Sequence, residues 1–179
     1  MNGAGSYVAL AAGVVVLAAL TYALLFNRLR SAANQVITAY ATIDAELQRR
    51  HDLIPELVST VQASAAHERT LIEQLTAARS AGERAARDQA AIAQADATMS
   101  ALLPQVFAMA EGVPTLRTSS SFLALQRELA NTEDRLAAAR RFYNFQVRDL
   151  NTLVGSAVSA PIARRHHISV AEYYGPPPD

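Results

Sequence analysis

The sequence predicts an all-α fold, and three observations carry the prediction. First, 37 of the 179 residues are Ala, and between Leu17 and Val154 only Gly82 and Gly112 break the run of strong helix formers. Second, apolar residues recur in steps of seven over three long segments. Third, no stretch shows the period-two, β-branched alternation of a strand. The expected architecture is an N-terminal transmembrane helix followed by an elongated antiparallel bundle. That bundle has three long helices, or four if the chain breaks at Pro55.

The first element is the stretch Tyr7–Phe26, after a short tail of residues 1–6. Its 20 residues carry no charge. At 1.5 Å per residue it covers about 30 Å, the thickness of a bilayer's hydrocarbon core. A cleaved signal peptide has a shorter apolar region behind a basic one. Here the first six residues hold no Lys or Arg, so an uncleaved span is expected. Arg28 and Arg30 follow it directly. The positive-inside rule then places the N-terminus outside and the bundle in the cytoplasm.

Residues 27–154 are the bundle. Gly82, Gly112 with Pro114, and Gly155 with Pro161 punctuate them as helix stops. In the first segment the rows are Val36, Ile43, Arg50, Leu57, Ser64, Leu71, Ala78 and Tyr40, Leu47, Ile54, Val61, Glu68, Leu75. The second segment shows Ile92, Met99, Val106, Val113 with Ala95, Leu102, Met109. The third shows Phe122, Leu129, Leu136, Tyr143, Leu150 with Leu125, Thr132, Ala139, Gln146, Leu153. Each helix therefore owns one apolar stripe that must be buried.

Pro55 interrupts the first segment, because proline removes a helical hydrogen bond and crowds the carbonyl four residues back, that of His51. Asp52 is placed to cap a new helix there. The heptad phase, however, crosses Pro55 unbroken, which favours one kinked helix over residues 27–81, about 80 Å long and continuous with the span. Pro104 poses the same question in the second segment, with Ser100 as the cap. After Gly155 the periodicity ends. Residues 155–179 hold four of the seven prolines and the cluster Arg164-Arg165-His166-His167, and read as a loosely ordered tail.

Composition excludes several chemistries. With no Cys there is no disulfide framework, thiolate zinc site or thiol nucleophile. Sixteen Arg balance sixteen acids, which argues against general nucleic-acid binding. His67-Glu68 begins like a zinc-protease motif, but Leu71 stands where its second His belongs. No phosphate loop and no Gly-x-Ser-x-Gly elbow is present. Ser119-Ser120-Ser121 reads as a helix start. Glu133 and Asp134 are adjacent, point about 100° apart on a helix, and cannot share a proton; with Arg127, Arg135 and Arg140 near them they read as a salt-bridged face. Arg50, Ser64, Glu68, Thr132 and Gln146 are polar residues on the seams, of the kind that fix register. Neither a catalytic group nor a cofactor or metal is expected.

Three blocks resemble the LemA family. The first is Arg49-Arg50-His51-Asp52-Leu53-Ile54-Pro55-Glu56-Leu57-Val58, with Ala66-His67-Glu68 and Ala77-Ala78-Arg79. The second is Ala110-Glu111 with Pro114 and Leu116. The third runs through Leu125-Gln126, Glu128-Leu129 and Thr132-Glu133-Asp134-Arg135-Leu136-Ala137 to Ala139-Arg140 and Tyr143-Asn144, with an echo at Ala171-Glu172-Tyr173-Tyr174. Asp134 stands where the family usually has Asn, Phe145 where it has a polar residue, and the basic tail replaces a more apolar one. The resemblance implies a single-span bacterial inner-membrane protein with a helical bundle and no established reaction. Some relatives, a magnetosome protein among them, are tied to membrane remodelling, and others to envelope proteases. It also implies that Arg49, Asp52, Glu133 and Arg135 are bundle ion pairs or a partner surface. Arg50, Pro55, Arg140, Tyr143 and Asn144 complete the candidate residues. The expected role is a scaffold that self-assembles on the bilayer or holds a membrane-protein partner, with no nucleic acid. A signalling adaptor or envelope-stress sensor is the alternative.

Overall fold

The structure, a computed structural model, describes residues 3–63, 69–85 and 88–175, and the side chains of 3–6 and 8 are outside that description. Its elements are α1 (Gly3–Gln62), α2 (Arg69–Arg84), α3 (Gln89–Glu111), the single turn α4 (Pro114–Arg117), α5 (Ser120–Gly155) and α6 (Ala160–Arg165). Every one is helical, as the composition requires. The chain divides into two compact units, one of Met1–Thr38 with Phe145–Glu172, the other of Ala39–Asn144 with Tyr173–Asp179.

The second unit is an antiparallel four-helix bundle. The pairing is read from side chains: Arg79 of α2 reaches back to His51 of α1, Phe107 of α3 meets Phe122 of α5, and Tyr40 of α1 meets Tyr143 of α5. The heptad rows supply its interior. Ile43, Leu47, Ile54, Leu57 and Val61 of α1 are buried, as are Ile72 and Leu75 of α2, Met99, Leu102 and Val106 of α3, and Phe122, Leu129 and Leu136 of α5. Each such side chain is worth about 1.5–3 kcal/mol when taken from water, which is why stripes rather than single residues decide the helix faces. Leu116 of α4 belongs to the same core, as do Ala110 and Phe122.

The fourth helix corrects the expected joint. The helix does not run unbroken over residues 27–81, and the chain does not break at Pro55. α1 passes through Pro55 to Gln62, and α2 then returns antiparallel to it. Pro55 is tolerated for two physical reasons. Its ring faces solvent. The His51 carbonyl that its missing N–H leaves free accepts a hydrogen bond from Arg79 Nε at 2.8 Å instead. Pro104 likewise lies exposed inside α3, and Ser100 is no cap. Asp88 is the N-cap, accepting from Ala91 N at 3.0 Å, and Ser119 Oγ accepts from Phe122 N at the start of α5. Gly112 caps α3 and Gly155 ends α5 as expected. Gly82 does not end its helix; it sits inside α2, where an added Cβ would lie 3.0 Å from the His51 ring. Ser64, Glu68 and His67 lie outside the described residues.

The first unit joins the N-terminal part of α1 to the end of α5 and to α6. Tyr7 and residues 9–24 are exposed along an apolar helix long enough to cross a membrane. Its core is Leu29, Ile162 and Ala163, with Leu25, Phe26, Leu153, Val154 and Ile168 against them. The tail is not loosely ordered as far as Gly175. α6 ends in a left-handed turn at His167 (φ 55°), and Ile168 N donates to Ala163 O at 2.9 Å, a Schellman-type closure. Asn151 of α5 then grips the backbone of Ala171 in both directions, at 3.0 and 2.8 Å. Side-chain amides replace the periodic apolar contacts that the sequence lacks here. Pro176, Pro177 and Pro178 lie outside the described residues.

Candidate functional site

Inside the four-helix unit the apolar stripe is interrupted by charge. Arg50 comes from the seam of α1. Asp96 and Ser100, one turn apart, share a face of α3. Glu133 and Arg140, two turns apart, share a face of α5. The guanidinium of Arg50 is wholly buried, the Asp96 carboxylate 2% exposed, that of Glu133 40% and Arg140 25%. Two cations and two anions therefore meet where helices of one unit converge.

Their hydrogen bonds interlock. Arg50 Nη1 donates to Asp96 Oδ1 at 2.5 Å and to Ser100 Oγ at 2.9 Å. Arg50 Nη2 donates to Glu133 Oε2, which also accepts from Ser100 Oγ at 3.0 Å. Arg140 Nη2 donates to Asp96 Oδ2, and its Nη1 lies 3.8 Å from Glu133 Oε1. Tyr174, from the C-terminal segment, closes the ring: its hydroxyl donates to Asp96 Oδ2 at 3.2 Å and the Arg140 guanidinium lies over its ring. Asn144 holds Tyr174 in place, donating to its carbonyl at 3.2 Å and accepting from its N–H at 2.9 Å. Nε of Arg50 and of Arg140 find no acceptor among the described residues.

Burial sets the electrostatics. It pulls the Arg50 guanidinium below its ordinary value, and the Asp96 charge opposes that pull. Burial and the neighbouring Asp96 push the Tyr174 phenol well above its usual range. Next door, burial lowers the His51 imidazole, with Arg79 and Arg50 acting in the same direction and Glu83 and Asp96 against it. A guanidinium keeps its protons and Tyr174 is held protonated. The arrangement locks charges into a register, because each partner must arrive at the right height on its helix.

The other predicted residues fall around this cluster. Arg49 bridges to Glu128 of α5, and Arg135 to Glu46 at 2.9 Å and Glu128 at 3.6 Å. These are partly exposed pairs, whose attraction water and salt screen. Asp52 is not in the network: it is exposed and accepts from Gln48 at 2.9 Å along its own helix. Glu133, 40% exposed, reaches from the surface to the buried Arg50 and also lies beside Arg140, while Asp134 is exposed. Tyr143 is buried, edge-on to Tyr40 at 5.7 Å. Of the polar seam residues, Thr132 turns its hydroxyl back to Glu128 O at 2.9 Å, and Gln146 is buried.

Sequence reasoning missed Asp96 and undervalued Ser100 and Tyr174. A signal for Asp96 existed, since it is the single charged residue in the stretch from Gln89 to Ala110. A carboxylate that the packing of its helix buries needs a cation beside it. The sequence model of the LemA family matches residues 39–178. The chain belongs to the LemA family, and the matched region contains every member of the charged cluster. No curated protein matches the chain significantly.

Proposed function

We propose that this LemA-family chain is a non-catalytic membrane-anchored scaffold, in which the apolar N-terminal part of α1 holds a register-locked four-helix unit at the bacterial inner membrane. The observation that supports it most is the charged cluster. The ionisable side chains that chemistry would draw on are engaged with one another, and they tie α1, α3, α5 and the C-terminal segment into one unit. A unit fixed this way suits presenting a constant outer surface to a second copy or to a membrane-protein partner. The apolar helix, exposed at Tyr7 and over residues 9–24, supports the anchor, and Arg28 and Arg30 favour a cytoplasmic bundle.

Light scattering of the full chain in detergent, with crosslinking in cells, tests the scaffold. An oligomer or a recovered partner is expected; monomers with nothing crosslinked would refute it. Labelling a single Ala81→Cys variant in intact cells and in lysed cells reads the orientation. A signalling adaptor or sensor is the second reading, favoured by α1 running unbroken through Pro55 with Arg79 on the freed carbonyl. Pro55→Ala should alter a sensor's output with its fold retained, and leave a scaffold's partner binding unchanged.

A further inference from the structure

The first unit carries a groove that the bundle does not explain. Val14, Leu17, Ala18, Thr21, Tyr22 and Leu25 of α1 form one wall. Val158, Pro161, Ile162 and Arg165 form the other, enclosing about 610 Å³. The groove is apolar along its length and has a guanidinium, Arg165, in its lining. Val158 is 64% exposed and Leu17 66%, so the walls are open to whatever surrounds α1.

Charge gathers around this groove. The first unit holds five Arg against only Asp149 and Glu172. Arg28, Arg30, Arg164, Arg165, His166 and His167 are all exposed. Tyr22 and Phe26 fix the height of the cluster: the Tyr22 hydroxyl lies 2.8 Å from His166 Nε2, and the Phe26 ring centroid 4.2 Å from that of the imidazole. Asp149 lines a separate hollow with Arg28. An aromatic residue at the end of an apolar helix, with arginines beside it, marks headgroup depth in a bilayer.

We propose that this groove is a binding site for one anionic phospholipid, an acyl chain lying against Val14–Leu25 and Val158, and the phosphate on Arg165. The site rests on the anchor reading above. It takes a bilayer lipid because the apolar wall and the cationic rim are complementary to the two halves of that one molecule. Free phosphate would use only the rim.

The test uses the full chain purified in mild detergent, offered an equal mixture of phosphatidylglycerol and phosphatidylcholine, with bound lipid read by native mass spectrometry. Selective retention of phosphatidylglycerol is expected. Arg165→Gln should weaken it roughly fivefold, the weight a basic side chain carries beside an anionic surface. Ala18→Trp fills the groove without touching charge and should also displace the lipid; circular dichroism checks that both variants keep their helix content. Equal retention of the two lipids overturns the proposal, as does competition by inorganic phosphate alone. A Val158→Cys variant that forms a disulfide-linked dimer and excludes lipid also overturns it, assigning the groove to a second copy. Reconstitution into phosphatidylcholine vesicles separates the two readings. A chain that inserts but shows no lipid preference loses the site and keeps the anchor; a chain that stays in the aqueous fraction loses both.

Discussion

Replacing Asp96 by Ala removes the acceptor shared by Arg50 Nη1, Arg140 Nη2 and the Tyr174 hydroxyl. Arg50, with no exposure at all, keeps Ser100 and Glu133, but Glu133 is 40% exposed and its attraction is screened. Arg140 is 25% exposed and can turn toward water. Breaking a buried pair from one side costs about 3–5 kcal/mol, and these two escapes put Asp96→Ala at the lower end, about 3 kcal/mol. For a unit of this size that is a fall in Tm of about 12 °C. Thermal unfolding of the full chain in mild detergent measures it. The near-ultraviolet signal follows the packing around buried Tyr143 and Tyr174. The double variant Arg50→Met/Asp96→Leu removes the stranded cation together with its partner and should regain about half the loss. A single variant within about 1 kcal/mol of the parent would show that the cluster does not hold the helices together. A double variant no better than the single would show that the loss came from a cavity and not from an unpaired charge.

Three further outcomes follow from the same geometry. Asn144→Ala removes two hydrogen bonds to the Tyr174 backbone, about 1–2 kcal/mol in all, and should speed chymotryptic cleavage after Tyr174; an unchanged digestion rate would mean that other contacts hold the segment. Arg79→Ala strands the His51 carbonyl only while residue 55 is proline, so its cost should be about 1 kcal/mol smaller in a Pro55→Ala background. Equal cost in both backgrounds would dissociate Arg79 from the proline. For His51, burial lowers the folded pKa below the ordinary 6.5. The unfolded chain therefore binds more protons below that pH, and stability is flat above it and falls as pH drops below 6.5. His51→Gln should flatten this slope in a Tm series; an unaltered slope would assign the acid sensitivity elsewhere.

The heptad rows were legible because apolar burial is written in spacing. Val36, Ile43, Leu57, Met99, Leu129 and Leu150 all stand where the seven-residue step puts them. Arg50 was legible as a polar seam residue, but its partner was not. Asp96 lies 46 positions away, and no periodicity links a cation to an anion on another helix. Phase continuity favoured a helix running through Pro55, as α1 does, but it reports which face is buried and not where a helix stops, so the end of α1 at Gln62 was not legible. Likewise Gly82 was read as punctuation, whereas it makes room for the His51 ring. The C-terminal segment carried no apolar period because Asn144 and Asn151 hold its backbone, and a backbone bond leaves no trace in the residues it holds.

The anchor is the premise of everything proposed for this chain, and intact-mass measurement of the protein from alkali-washed membranes tests it most directly. The full 19.2 kDa chain should be found in the washed membrane pellet. A shorter product lacking the apolar stretch Tyr7–Phe26, recovered in the supernatant, would contradict it.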